Sequence, residues 1–347
     1  MPTNRLNWID ALRGLTMVSV VLVHVLSMGF GVDPTKSALC LLRGTFTLPL
    51  FFFVSGFFLF RPITAWDAAR IRSAIRIRTF AMLLGTIVFA TAYFAFRNGR
   101  NPFDWLPNGE FREYWYTISL FQIFIFNLVF VLIAKLFHRQ SVFWLLTGLA
   151  VAASLFFTYY DYHYWCTWVL NQKTVLFYQF FAFGMVTRRY TDRVMRVVEQ
   201  PWALTVILCV YAGSVYIGFG IDSFWYSHGL GTLMYALRNE LTTFFGILLL
   251  LNIFYTHREF FDRDTPGIRL WRFIGMRTLD IYFLHYFLIP RMRYMSPFLS
   301  KGNTLLPELV SGLFVAAIII AIILALSHLL RRAPLIRNLL GAKTATR

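Results

Sequence analysis

The sequence predicts an all-α protein, a polytopic transmembrane helical bundle of about ten spans with both termini in the cytoplasm, forming one domain over residues 1–347. Three observations predict it. Apolar stretches of about 18 residues or more recur along the whole length, each long enough to cross a bilayer. Charged residues make up only 14% of the chain and hydrophobic residues 58%, with 38 Phe, whereas a soluble domain carries about 25% charged residues. The Lys and Arg residues gather in the short connections between apolar stretches, where membrane proteins carry their topology signals.

The apolar runs follow in order. The first, 10–29, comes after a polar Met1–Trp8 and lacks a small-x-small cleavage site, so a retained first span is expected. The second, 38–60, is rich in Phe and carries Arg43. The third, 79–96, follows a basic connection at 61–78. The fourth and fifth, 117–137 and 141–160, are parted by a short basic connection at Lys135 and Arg139. The sixth, 174–187, is short and has an alternative start near Trp168. The seventh, 202–220, follows Arg188, Arg189, Arg193 and Arg196, and the eighth, 237–255, has Glu240 at its outer end. The ninth, 273–290, holds Arg277, Asp280 and His285, and the tenth is 308–330. None alternates in the manner of a membrane strand. Backbone at membrane depth must satisfy itself, so helices are expected.

With the N-terminus inside, 21 basic residues fall in inner segments and nine in outer ones. That excess sets the orientation, and it accounts for the net charge of +17 without a nucleic-acid partner. The partner expected on composition is the lipid bilayer. Cys40, Cys166 and Cys209 have no metal-like or CxxC spacing, so neither a disulfide framework nor a metal site is expected. Aromatic residues cluster in the outer loops at 101–105, 159–168 and 225–228. They read as interfacial anchors or as sugar-stacking faces, with Asp161, His163, Asp222 and His228 as possible acceptor contacts.

An Arg and a His on one membrane helix are expensive and mark a functional site by default. Arg13 and His24 are eleven residues apart, close to three turns, so they project from nearly one face about 16 Å apart. Asp10 is placed to pair with Arg13. A guanidinium near the cytoplasmic mouth suits a phosphate, and a deep imidazole suits proton transfer. A long donor such as an acyl-coenzyme A would bridge the two. The alternative is that Arg13 snorkels to the interface and His24 is a structural hydrogen-bonder. Weaker candidates for binding substrate or orienting His24 are Arg43, Glu240, Asp280 and His285.

Trp8-Ile9-Asp10-Ala11-Leu12-Arg13-Gly14, followed by His24, resembles the opening of the acyltransferase-3 family of membrane O-acyltransferases. Leu48 to Phe57, ending Ser55-Gly56-Phe57, resembles its phenylalanine-rich segment, and Tyr282-Phe283-Leu284-His285 its late Tyr-x-x-His. The resemblance runs over nearly the whole chain. It implies transfer of an acyl group, usually acetyl, from cytoplasmic acyl-CoA to a hydroxyl of an extracytoplasmic or lipid-linked glycan such as an exopolysaccharide, in the cell (inner) membrane. It implies His24 as the essential histidine with Arg13 as its partner, acetyl-CoA as donor substrate, and no permanently bound cofactor. The family's cytoplasmic Arg-x-x-Arg is replaced by Arg70-x-Arg72-x-x-x-Arg76-x-Arg78. Arg72, Arg76 and Arg78 are the candidate coenzyme ligands there. Some members carry an appended hydrolase-like domain. This chain ends soon after its last apolar run, so it is expected to act alone or with a separate partner. Two routes stay open: His24 as general base, or as a nucleophile that carries the acyl group. The competing class is a transporter or flippase for a sugar or lipid-linked glycan, but paired inverted halves with matched broken helices are not seen in the sequence.

Overall fold

The computed structural model describes residues 6–98, 112–160, 171–220, 231–299 and 305–341. No β-strand occurs among the described residues. The principal helices are α1 (Asn7–His24), α2 (Ala38–Gly44), α3 (Thr47–Leu59), α4 (Ala68–Arg78), α5 (Gly85–Asn98), α6 (Trp115–Leu136), α7 (Gln140–Tyr160), α8 (Gln172–Arg189), α9 (Thr191–Val198), α10 (Pro201–Gly220), α11 (Gly231–Thr256), α12 (Pro266–Met276), α13 (Thr278–Leu288) and α14 (Leu305–Leu330).

Among the described residues, seven helical segments are long and apolar enough to cross a membrane, or eight if α9 and α10, bent by 81°, form one span. The chain is therefore a multi-pass membrane protein. Leu132, Leu145, Leu149, Phe314 and Ile322 stay exposed on these helices, as side chains facing lipid do. Two expected spans are helical yet fall outside that set. In α8, Gln172, Lys173, Gln179, Arg188 and Arg189 lower the hydropathy. The ninth run breaks at Arg277 (φ −106°, ψ 19°) into α12 and α13, of 11 residues each, about 16 Å of helix apiece.

Two close helix contacts position the site. A Cβ on Gly56 would overlap the carbonyl of Phe181, and one on Gly184 the carbonyl of Phe53, so α3 and α8 touch backbone to backbone. Likewise a Cβ on Gly14 would overlap the Trp271 carbonyl and one on Gly275 the Asp10 carbonyl, which brings α12 onto α1. Small residues allow such approach, and dispersion across it supplies the attraction that lipid-equal side chains cannot. The Phe-rich stretch of α3 fills the seam, with Phe52, Phe53 and Phe57 buried and Phe52 stacked on Phe177 at 4.9 Å.

Asp280 is fully buried and ties α13 to the end of α14. Arg331 reaches it with two guanidinium nitrogens, Nε to Oδ2 at 2.8 Å and Nη2 to Oδ1 at 2.5 Å. Ser327 also donates to Oδ2, and Arg277 stands 3.7 Å away. The fork-like geometry of arginine suits this pairing.

Candidate active site

His24 closes α1, where the helix widens into a π-helical turn over Val25–Gly29. Such turns re-aim side chains and recur at functional sites. Because α12 is clamped to α1, α13 runs beside the second half of α1 and places His285, 0% exposed, against His24. His285 Nε2 lies 3.0 Å from His24 Nδ1, and His285 Nδ1 lies 2.9 Å from the Ile281 carbonyl oxygen.

With both rings neutral, these two distances fix the tautomers. A carbonyl oxygen only accepts, so His285 Nδ1 carries a proton and donates to Ile281. Neutral His285 then has a bare Nε2, which must accept from His24 Nδ1–H. Neutral His24 is left with its lone pair at Nε2. Tyr286 Oη is 3.5 Å from that nitrogen, but its proton goes to the Glu113 carbonyl at 2.9 Å. The Nε2 lone pair is therefore free to take a proton or attack a carbonyl, and His285 stands ready to share the resulting positive charge.

Aromatic packing holds this pair. The His24 ring lies 5.0 Å from the His285 and Tyr286 rings. Tyr114 donates to the Phe283 carbonyl at 3.2 Å, and Tyr282 to the Glu113 carbonyl at 3.2 Å. Tyr286 and Glu113 carry no signal of their own in the sequence. Tyr286 sits next to the Tyr-x-x-His segment, while Glu113 contributes through its backbone, which any residue possesses. The Glu113 Oε2 atom is also buried without a hydrogen-bond partner among the described residues.

The remaining candidate residues divide. Arg13 leans on the same helix as His24: its Nη2 donates to Thr278 Oγ1 at 2.9 Å, and its Nη1 is 3.6 Å from Asp10. Thr278 and His285 are about 10 Å apart along α13, so the expected common face of Arg13 and His24 is the face turned to α13. Arg43, on α2, lies within electrostatic range of His24 and Tyr286, and its Nε is buried with no hydrogen-bond partner among the described residues. Asp280 is committed to Arg331, Ser327 and Arg277 and does not orient His24. Glu240 stands elsewhere, accepting from Gln179 Nε2 at 2.9 Å. In α4, Arg72 and Arg76 are exposed one turn apart, whereas Arg78 turns inward over the Phe124 ring at 4.4 Å. The outer-loop candidates Asp161, His163, Asp222 and His228 lie outside the described residues.

At the end of the bundle opposite His24, a cavity of about 540 Å³ is lined by Asn7, Asp10, Arg269, Arg272, Phe273 and Met276. Arg269 and Arg272 each stand 3.6 Å from Asp264. Two guanidiniums at such a mouth suit phosphate oxygens. Neither His24 nor Arg13 lines this cavity.

A family model described as an acyltransferase domain, acyltransferase-3, matches residues 6–327. No curated protein and no solved structure matches the chain.

Proposed function

The chain belongs to the acyltransferase-3 family, and from that premise we propose that it is a membrane O-acyltransferase moving an acyl group, acetyl in the simplest case, from cytoplasmic acyl-CoA to a hydroxyl of an extracytoplasmic or lipid-linked glycan. The observation that carries this reading is the free Nε2 lone pair of His24, held in one tautomer by His285. In the general-base route, Nε2 takes the acceptor hydroxyl proton as its oxygen attacks the thioester carbonyl. The C–S bond then breaks, and the coenzyme thiolate receives the proton from His24. In the covalent route, Nε2 attacks the thioester carbonyl and the C–S bond breaks, leaving an acyl-imidazolium and the coenzyme thiolate, which takes a proton from water. The acceptor hydroxyl then attacks the acyl carbon, the C–N bond breaks to return neutral His24, and the hydroxyl proton passes to water. The coenzyme stays on the cytoplasmic side in both. Arg13, Arg72 and Arg76 are the residues we assign to its phosphates, together with Arg269 and Arg272 at the inner mouth. The inner membrane of a cell is the compartment in which such a donor and such an acceptor face opposite sides.

The test is CoA release from acetyl-CoA by the purified chain in nanodiscs, with His24→Ala alongside. Wild-type turnover that vanishes in the variant supports the reading. A wild-type protein that consumes no acyl-CoA, or a variant that consumes it equally well, removes it.

A further inference from the structure

Away from the histidine pair, a second cavity of about 620 Å³ opens between the α2–α3 segment, α7, α8, α10 and α11. It lies at the end of the bundle that carries His24, not at the end that carries basic α4. Its size falls within the range of small-ligand sites. Phe157, Phe177 and Phe180 supply apolar faces, while Ser214, Asn239 and Glu240 supply polar ones.

One acceptor atom of its wall has no donor among the described residues. Gln179 donates its amide to Glu240 Oε1 at 2.9 Å and to the Leu176 carbonyl at 3.3 Å. Glu240 Oε2 remains buried with no hydrogen-bond partner among the described residues; Gln179, which holds Oε1, does not itself line the cavity. A buried unpaired acceptor is costly, and more so when charged. Inside a membrane protein such a group marks a ligand path. An unpaired carboxylate oxygen in the cavity wall asks for a hydroxyl or amide donor. An isolated cation is a poorer match, because Arg238 lines the same cavity as Glu240 and the two charges offset. Aromatic faces beside a hydroxyl-seeking oxygen fit a polyhydroxylated ring, whose C–H faces lie on the phenyl groups while its hydroxyls donate.

We infer that this cavity is the acceptor site and that it binds a sugar residue of the glycan, with Glu240 accepting from a ring hydroxyl. The inference rests on the acyltransferase reading for its role and deepens it. A link to the chemistry runs through α2. Gly44 and Thr45 line the cavity, and the residue before them, Arg43, acts electrostatically on His24.

A binding experiment needs no acyl donor. Thr243, which lines the cavity, is replaced by Thr243→Cys in a chain carrying Cys166→Ser and Cys209→Ser; Cys40 is buried. The protein in nanodiscs is labelled with a membrane-impermeant maleimide. The probes are octyl β-glycosides of glucose, galactose, mannose, rhamnose and N-acetylglucosamine below their micelle concentrations, with octanol and phosphatidylglycerol as apolar controls. At least one glycoside should slow labelling about fivefold or more. Adding Glu240→Gln should raise the concentration required about tenfold or more, the scale of a lost charge-assisted hydrogen bond. Elution profile and thermal midpoint of each variant show that it is folded. Three results overturn the inference: no glycoside protects, octanol or the lipid protects equally, or the thiol resists the maleimide with no probe present. Failure here with acetyl-CoA turnover intact removes the acceptor site alone. Protection without any acyl-CoA turnover removes the enzyme reading and leaves a sugar site.

Discussion

The substitution His285→Ala isolates the role of the second imidazole. In the wild type, His285 Nε2 accepts from His24 Nδ1 at 3.0 Å, while its own Nδ1–H is anchored on Ile281 at 2.9 Å. Removing the ring leaves the His24 Nδ1–H buried without an acceptor, a cost of about 1–3 kcal/mol. It also frees His24 to place its proton on Nε2, the tautomer that can neither accept a proton nor attack. The positive charge formed during the reaction then has no neighbour to share it. General acid–base assistance is worth about 10²–10⁴ in rate. The expected fall in kcat for acetyl-CoA turnover in nanodiscs is therefore about 10²–10³, with the donor KM changing less than about threefold. His285→Gln retains a side-chain acceptor and should recover part of the loss. Matched thermal midpoints or elution profiles separate this from misfolding. A His285→Ala protein that stays within about threefold of wild type while His24→Ala is inactive would refute the tautomer argument.

Three further outcomes follow from the same contacts. Gly56→Leu forces a side chain into the Phe181 carbonyl, so α3 and α8 must part, and a loss of about 3 kcal/mol or more in stability should appear as lower yield of monodisperse protein. Asp280→Asn leaves Arg331 without its buried carboxylate; breaking such a pair costs about 3–5 kcal/mol, read as a fall in thermal midpoint larger than that of Asp264→Asn in the exposed Arg269–Asp264 pair. Arg72→Ala with Arg76→Ala should raise the acetyl-CoA KM about tenfold with a weaker dependence on salt, whereas Arg78→Ala, which removes a cation from the Phe124 ring, should lower stability and leave the donor KM within about twofold.

Residues differ in how much of their role the sequence displays. The helices of the bundle are legible because a run of apolar side chains fixes both the solvent and the backbone hydrogen bonding. Arg13 and His24 stand out because charge and imidazole are costly in that setting. Asp280 and His285, five residues apart on α13, stand on different faces of that helix: Asp280 serves α14 and His285 serves α1. The division among Arg72, Arg76 and Arg78 follows from the helix at Ala68–Arg78, where only the first two share an exposed face. Tyr286 was hidden as one of 17 tyrosines. Glu113 was hidden because its part is played by a main-chain carbonyl.

The sequence by itself settles that this chain is a helical membrane protein with a cation and an imidazole in its first span, because hydropathy and helix phase are properties of neighbouring residues. Only the tertiary structure decides that His24 meets His285, 261 positions away. That meeting depends on the glycine contact of α1 with α12 and on the break at Arg277. Those distances between distant segments select the tautomer, and with it the nitrogen left free to react.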